Sequence, residues 1–69
     1  MKIIQLIYSL CSGGAERFVV SLSNQFAEMG HDVTVCMLLS SGNDKYIFNR
    51  QFMRPDVHFH SMGFEPGFS

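Results

Sequence analysis

Between Lys2 and Leu39 the hydrophobic pattern changes period twice, and a pair of adjacent glycines marks the first change. Ile3, Ile4, Leu6, Ile7 and Tyr8 form a nearly continuous apolar run rich in β-branched residues, which predicts a strand over Lys2 to Tyr8, buried on both faces and central in a parallel sheet. Ser9-Leu10-Cys11-Ser12-Gly13-Gly14 is a turn of mostly small residues. From there Ala15, Phe18, Val19, Leu22, Phe26 and Met29 recur at helical spacing, opposite Glu16, Arg17, Ser21, Asn24, Gln25 and Glu28. The spacing predicts a helix from about Gly14 to Met29, started near Ser12 or Gly13 and ended at Gly30 in a left-handed conformation. Val33-Thr34-Val35-Cys36-Met37-Leu38-Leu39 then reads as a second strand. Strand, helix, strand at this spacing is a βαβ unit, whose crossover is right-handed and whose strands are parallel.

The remainder extends that unit. Ser40-Ser41-Gly42-Asn43-Asp44 is a loop by composition, and Lys45 to Met53 reads as a helical turn or two capped by Asn43 or Asp44. Pro55 closes it, because a proline disfavours helical backbone in the residue before it. Val57 to Met62 alternates, with Val57, Phe59 and Ser61 on one face and His58, His60 and Met62 on the other, as a third strand would. Residues 1–62 are therefore expected to form one partial α/β unit, and residues 63–69 a frayed tail or a linker to further sequence. The fold class is a Rossmann-like parallel sheet of three layers, present only in part.

Composition narrows the partners. Only 16% of the 69 residues are charged, below the usual ~25%, which implies surfaces meant to be covered by something else. A net charge of −1 and five scattered Lys and Arg give no footprint for nucleic acid. The two cysteines, Cys11 and Cys36, are too few for a disulfide framework and suit buried thiols in a reducing compartment. The apolar run at the start is short, broken by Gln5 and preceded by one Lys, so it makes a poor secretory signal, and no run reaches the ~20 apolar residues of a membrane span. The expected location is the cytoplasm, with peripheral attachment at a membrane surface as the other possibility.

Candidate chemistry concentrates at the glycines. A Gly pair between strand and helix lets backbone approach a ligand, and the first N–H groups of a helix, with the dipole behind them, favour an anion such as phosphate. Gly13 and Gly14 are the binding candidates, with Ser12, Ala15 and Glu16 as neighbours. Glu16 also suits the dipole simply as a first-turn carboxylate, and Ser12 as a turn former. The pattern is neither Gly-x-Gly-x-x-Gly nor a P-loop, so a purely structural turn stands beside the phosphate reading. His58 and His60 share a strand face at i, i+2, but two ligands make no metal site, and no metal is expected. Cys11 precedes a helix N-terminus, where thiolates are stabilised, yet the sequence names no base for it.

Taken together, Met1-Lys2-Ile3-Ile4, Ser9-Leu10-x-Ser12-Gly13-Gly14-Ala15-Glu16-Arg17, Leu22-Ser23-Asn24 and Gly30-His31-Asp32-Val33-Thr34-Val35 resemble the opening of family 4 glycosyltransferases. The likeness covers Met1 to Leu39 in motif and the stretch to Met62 only in layout. It implies a GT-B fold of two Rossmann-like domains, this chain being the start of the N-terminal, acceptor-side one. It also implies a nucleotide-sugar donor, a glycan or lipid-linked acceptor, and Gly13 and Gly14 approaching the donor diphosphate. Transfer would be retaining, with no metal or other cofactor. The family's later N-terminal histidine and its C-terminal Glu-x7-Glu element do not lie in these residues, so the chain alone is expected to be inactive. Association through exposed sheet edges is a further expectation. A non-catalytic Rossmann-like module that binds a nucleotide or another partner is the alternative.

Overall fold

The computed structural model describes residues 1–65. Its elements are β1 (Lys2–Ile7), α1 (Gly14–Glu28), β2 (Asp32–Leu39), a 3-10 helix (Asp44–Phe52) and β3 (His58–Phe64). The strands form one parallel sheet in the order β1-β2-β3. Each crossover moves in the same direction across the sheet, and right-handed crossovers of that kind carry their helices on the same face. The described residues thus build two layers of an α/β fold, and the third layer expected from the sequence is not among them.

The centre of this sheet is β2, and that corrects one expectation. β1 lies at an edge, pairing with β2 from Lys2↔Asp32 to Ile7↔Met37. Its residues alternate between half-buried and exposed, leaving Ile4 69% and Leu6 65% accessible. The near-continuous apolar run belongs to a strand with only one face covered. On β2 the alternation is complete, with Val33, Val35, Met37 and Leu39 buried toward α1.

Helix α1 begins and ends as the sequence requires, but it is rotated from the expected face. At its C-terminus Gly30 adopts φ +92°, the His31 amide donates to the Phe26 carbonyl at 3.1 Å and the Gly30 amide to Ala27 at 3.0 Å, a Schellman closure. The fully buried positions are Val20 and Ser23, with Phe26 and Ala27 packed beside them, whereas Phe18 and Met29 are about two-thirds exposed. The small side chains of Ser23 and Ala27 let the helix sit close to the sheet, and Val20 meets the core formed by Leu10, Val33, Val35, Met37 and Val57. Ser23 Oγ is buried without a hydrogen-bond partner among the described residues.

The segment after β2 is helical as expected, capped by Asn43, whose Oδ1 accepts from the Lys45 amide at 2.9 Å. Ile47 breaks its regularity with φ −114° and ψ 17°. Tyr46, Ile47 and Met53 pack against the core. Asn24 of α1 ties down the far end of this segment, accepting from the Arg54 amide at 2.9 Å and donating to the Phe52 carbonyl at 2.9 Å.

β3 shows the predicted alternation, with Val57 buried, Phe59 and Ser61 half-buried, and His58, His60 and Met62 exposed. It runs to Phe64, two residues beyond the expected boundary at Met62, because a bulge lets it continue. The register passes from Met37↔Ser61 to Leu39↔Phe64, so β3 spends one residue more than β2. Gly63 takes φ +81° at the bulge, and Ser61 Oγ fastens it by accepting from the Gly63 amide and donating to the Leu39 carbonyl at 2.8 Å. The rest of the expected tail, residues 66–69, lies outside the described residues.

Candidate functional site at the turn between β1 and α1

The turn leaves the carboxyl end of β1 and is anchored before it reaches the glycines. Ser9 and Leu10 are buried. The Leu10 amide donates to the Tyr46 carbonyl at 2.7 Å, and the Leu10 carbonyl accepts from the Asn49 amide at 2.8 Å. Asn49, itself buried, donates from Nδ2 to the Cys11 carbonyl at 2.6 Å. Three hydrogen bonds from the 3-10 segment therefore fix two consecutive residues of the turn. Sequence reasoning missed this brace, since an asparagine 38 positions downstream carries no local sign of its partner.

Beyond the brace the backbone opens. The Gly13 amide donates back to the Cys11 carbonyl at 2.8 Å, and Gly13 is the N-cap residue, with φ −130° and ψ 165°. Ser12 is exposed and does not cap the helix, so the cap falls on the second of the two residues the sequence offered. The first helical bond runs from the Arg17 amide to the Gly13 carbonyl at 3.0 Å. That leaves the amides of Gly14, Ala15 and Glu16 without partners among the described residues, directed out of the helix end.

The two glycines differ in what surrounds them. A Cβ on Gly14 would enter open space, whereas one on Gly13 would run into the Glu16 carboxylate, which folds back over the turn. Glu16 thus brings its own negative charge to the positive end of α1. No Lys or Arg lies in the turn, and Arg17 is held elsewhere, its guanidinium 3.7 Å from the centre of the Phe52 ring. An anion here would meet backbone N–H groups and the dipole, in competition with Glu16.

Other candidates from the sequence are separated from this turn. His58 and His60 lie on the uncovered sheet face, and His58 Nε2 is 3.3 Å from Asp32 Oδ1. Among the described residues no group of three or more His, Cys, Asp or Glu is arranged to hold a metal ion. Cys11 and Cys36 are free and half-buried, more accessible than the buried thiols expected. The described residues enclose no pocket, and none of their helices is long and apolar enough to cross a membrane. Compared with known proteins, the chain matches no family model, no curated sequence and no solved structure.

Proposed function

We propose that the chain is the N-terminal, acceptor-side part of a glycosyltransferase that moves a sugar from a nucleotide-diphosphate donor to a glycan or lipid-linked acceptor. The observation that carries this reading is the open helix start at Gly14, with three amides unpartnered among the described residues and open space where a Gly14 side chain would stand, the Glu16 carboxylate lying to the Gly13 side. It falls within the glycosyltransferase-like motif, Ser9 to Arg17. In this role the turn stabilises negative charge on the departing diphosphate by fixed N–H dipoles, with no proton transfer. Gly13 and Gly14 supply the close backbone approach, and the braced Leu10 and Cys11 hold it in place. The donor sugar and most of its nucleotide would be held by a second domain, so the chain alone binds the diphosphate weakly and transfers nothing.

The test is turnover by a protein that joins this segment to a donor-binding domain. A Cβ at Gly14 meets no other atom within 4 Å, so Gly14→Val puts a side chain at the open amides and should lower turnover on the order of a hundredfold while the fold survives. Unchanged turnover contradicts the proposal. A non-catalytic module that binds a nucleotide or a partner is the second reading, favoured by the uncovered sheet face; it predicts binding without transfer in the joined protein.

A further inference from the structure

The 3-10 segment grips the chain on both sides of the glycine turn, and we propose that it is a splint. The span it fixes between Cys11 and α1 sets how tightly the open amides of Gly14, Ala15 and Glu16 hold a diphosphate, with Asn49 and Asn24 as the positioning residues. This rests on the reading of those amides as a diphosphate site. Before the turn, the grip is built into an interruption of the helix. Tyr46 and Asn49 stand three residues apart, and in a regular 3-10 helix the amide of the second bonds the carbonyl of the first. Ile47 lies between them with non-helical backbone, φ −114° and ψ 17°, and Leu10 bonds both groups there. Its amide donates to the Tyr46 carbonyl at 2.7 Å, and its carbonyl accepts from the Asn49 amide at 2.8 Å. The Asn49 side chain adds a bond from Nδ2 to the Cys11 carbonyl at 2.6 Å. An interruption inside a 3-10 run marks a segment shaped by more than its own helical bonds, and what shapes this one is the backbone leading into the turn.

After the turn, the same segment holds α1 at two levels. Arg17, whose amide closes the first helical bond onto the Gly13 carbonyl at 3.0 Å, lays its guanidinium 3.7 Å from the centre of the Phe52 ring. Further along the helix, Asn24 donates to the Phe52 carbonyl and accepts from the Arg54 amide, both at 2.9 Å. Tyr46, Ile47 and Met53 seat the segment on the core. Ser12, Gly13 and Gly14 are therefore suspended between two points that one element controls, Leu10 and Cys11 before them and Arg17 and Asn24 after. Neither glycine has a side chain to restrict its own backbone, so the spacing has to come from outside the turn. N–H dipoles stabilise an anion best when they are already held where its charge will sit, and the splint supplies that hold. A splint tied at one end fixes no span. Losing either tie should then weaken binding nearly as much as losing both, whereas residues that support the turn separately would have additive effects.

The experiment measures the Kd of inorganic pyrophosphate for the full chain from the amide shifts of Gly14, Ala15 and Glu16. It compares the native sequence, Asn49→Ala, Asn24→Ala and the double variant. Each single variant should raise Kd about threefold or more, and the double variant should exceed the weaker-binding single by less than about 1.5-fold. The native chain, brought by urea to the stability of Asn49→Ala, should keep its own Kd, which separates positioning from loss of folded protein. A native Kd in both single variants overturns the proposal and leaves the diphosphate reading standing. A double variant whose increase is the product of the two single increases overturns it as well, since the ties then act independently, and so does an equal rise of Kd in urea. Turn amides that do not shift in the native chain overturn the diphosphate reading and this proposal with it. A variant found unfolded by circular dichroism is replaced by Phe52→Leu, which removes the ring beneath Arg17 at a site 38% exposed and keeps the carbonyl that Asn24 bonds. It should raise Kd likewise, and a native Kd there overturns the proposal.

Discussion

Asn49 donates its side-chain amide to the carbonyl of Cys11 at 2.6 Å, linking the 3-10 segment to the turn that precedes α1 across 38 residues of sequence. With its own amide bonded to Leu10 and the Tyr46 carbonyl taking the Leu10 amide, it makes the first half of the glycine turn a fixed object. The open amides that follow are then presented from a rigid base, which is what pre-organised charge stabilisation needs.

Replacing Asn49 by Ala removes one of the two donors to the Cys11 carbonyl, which keeps its bond from the Gly13 amide. The expected cost is about 1 kcal/mol, that of one lost hydrogen bond. Urea denaturation measures it, and NMR should show Leu10, Cys11 and Gly13 losing protection before the sheet does.

Ser23 makes the opposite case. Its hydroxyl is fully buried on the sheet side of α1 with no hydrogen-bond partner among the described residues, so Ser23→Ala removes an unsatisfied group and adds a better helix former. Stability should rise by about 1 kcal/mol, read as a higher urea midpoint with the same slope.

Glu16 separates helix stability from anion binding. Its carboxylate lies against Gly13, where it favours the helix and repels an incoming anion. Glu16→Gln should lower stability by about 0.3–1 kcal/mol and at the same time tighten pyrophosphate binding several-fold at low salt. Calorimetry and thermal melts on the same samples would reveal these opposite signs.

The Arg54 and Asp56 pair sets a small acid dependence. A hydrogen bond from Arg54, chiefly, holds the Asp56 carboxyl below its ordinary range, and the same contact raises Arg54. A carboxyl depressed in the folded state stabilises above its unfolded value, near 3.9, and loses that contribution as pH falls through the folded value. Both side chains are solvent-exposed, so the effect is slight and fades with salt. Melting temperatures of the native chain and Asp56→Asn should differ a little at pH 7 and converge as pH falls below the depressed value of the folded carboxyl.

The order of elements and the parallel βαβ connection were legible because each rests on local pattern: β-branched runs, a 3.6-residue period, glycines at the helix ends. The phase of α1 was not. Val19 and Val20 are adjacent, so the stripe through Phe18 and Leu22 and the stripe through Val20 and Ser23 both fit a helix, and hydrophobicity alone selects the wrong one. Close approach to the sheet favours the stripe with small residues, and only the packed structure reveals that approach. The central position assigned to β1 failed for a related reason, since an apolar run tells which strands want two covered faces but not which have them. At the turn, Gly13 and Gly14 were legible from composition, whereas the brace from Asn49 and the folding back of Glu16 are contacts between residues whose sequence context gives no hint of them.

The central claim is that the backbone of the glycine turn meets the diphosphate of a nucleotide sugar. Amide chemical shifts of the chain, followed during titration with UDP, GDP and inorganic pyrophosphate, test it most directly. Saturable shifts at Gly14, Ala15 and Glu16, shared by all three ligands and abolished by Gly14→Val without change elsewhere, are the predicted result. Amides of the turn that stay fixed up to the solubility limit of the ligands, in a chain whose other resonances report an intact fold, would contradict it.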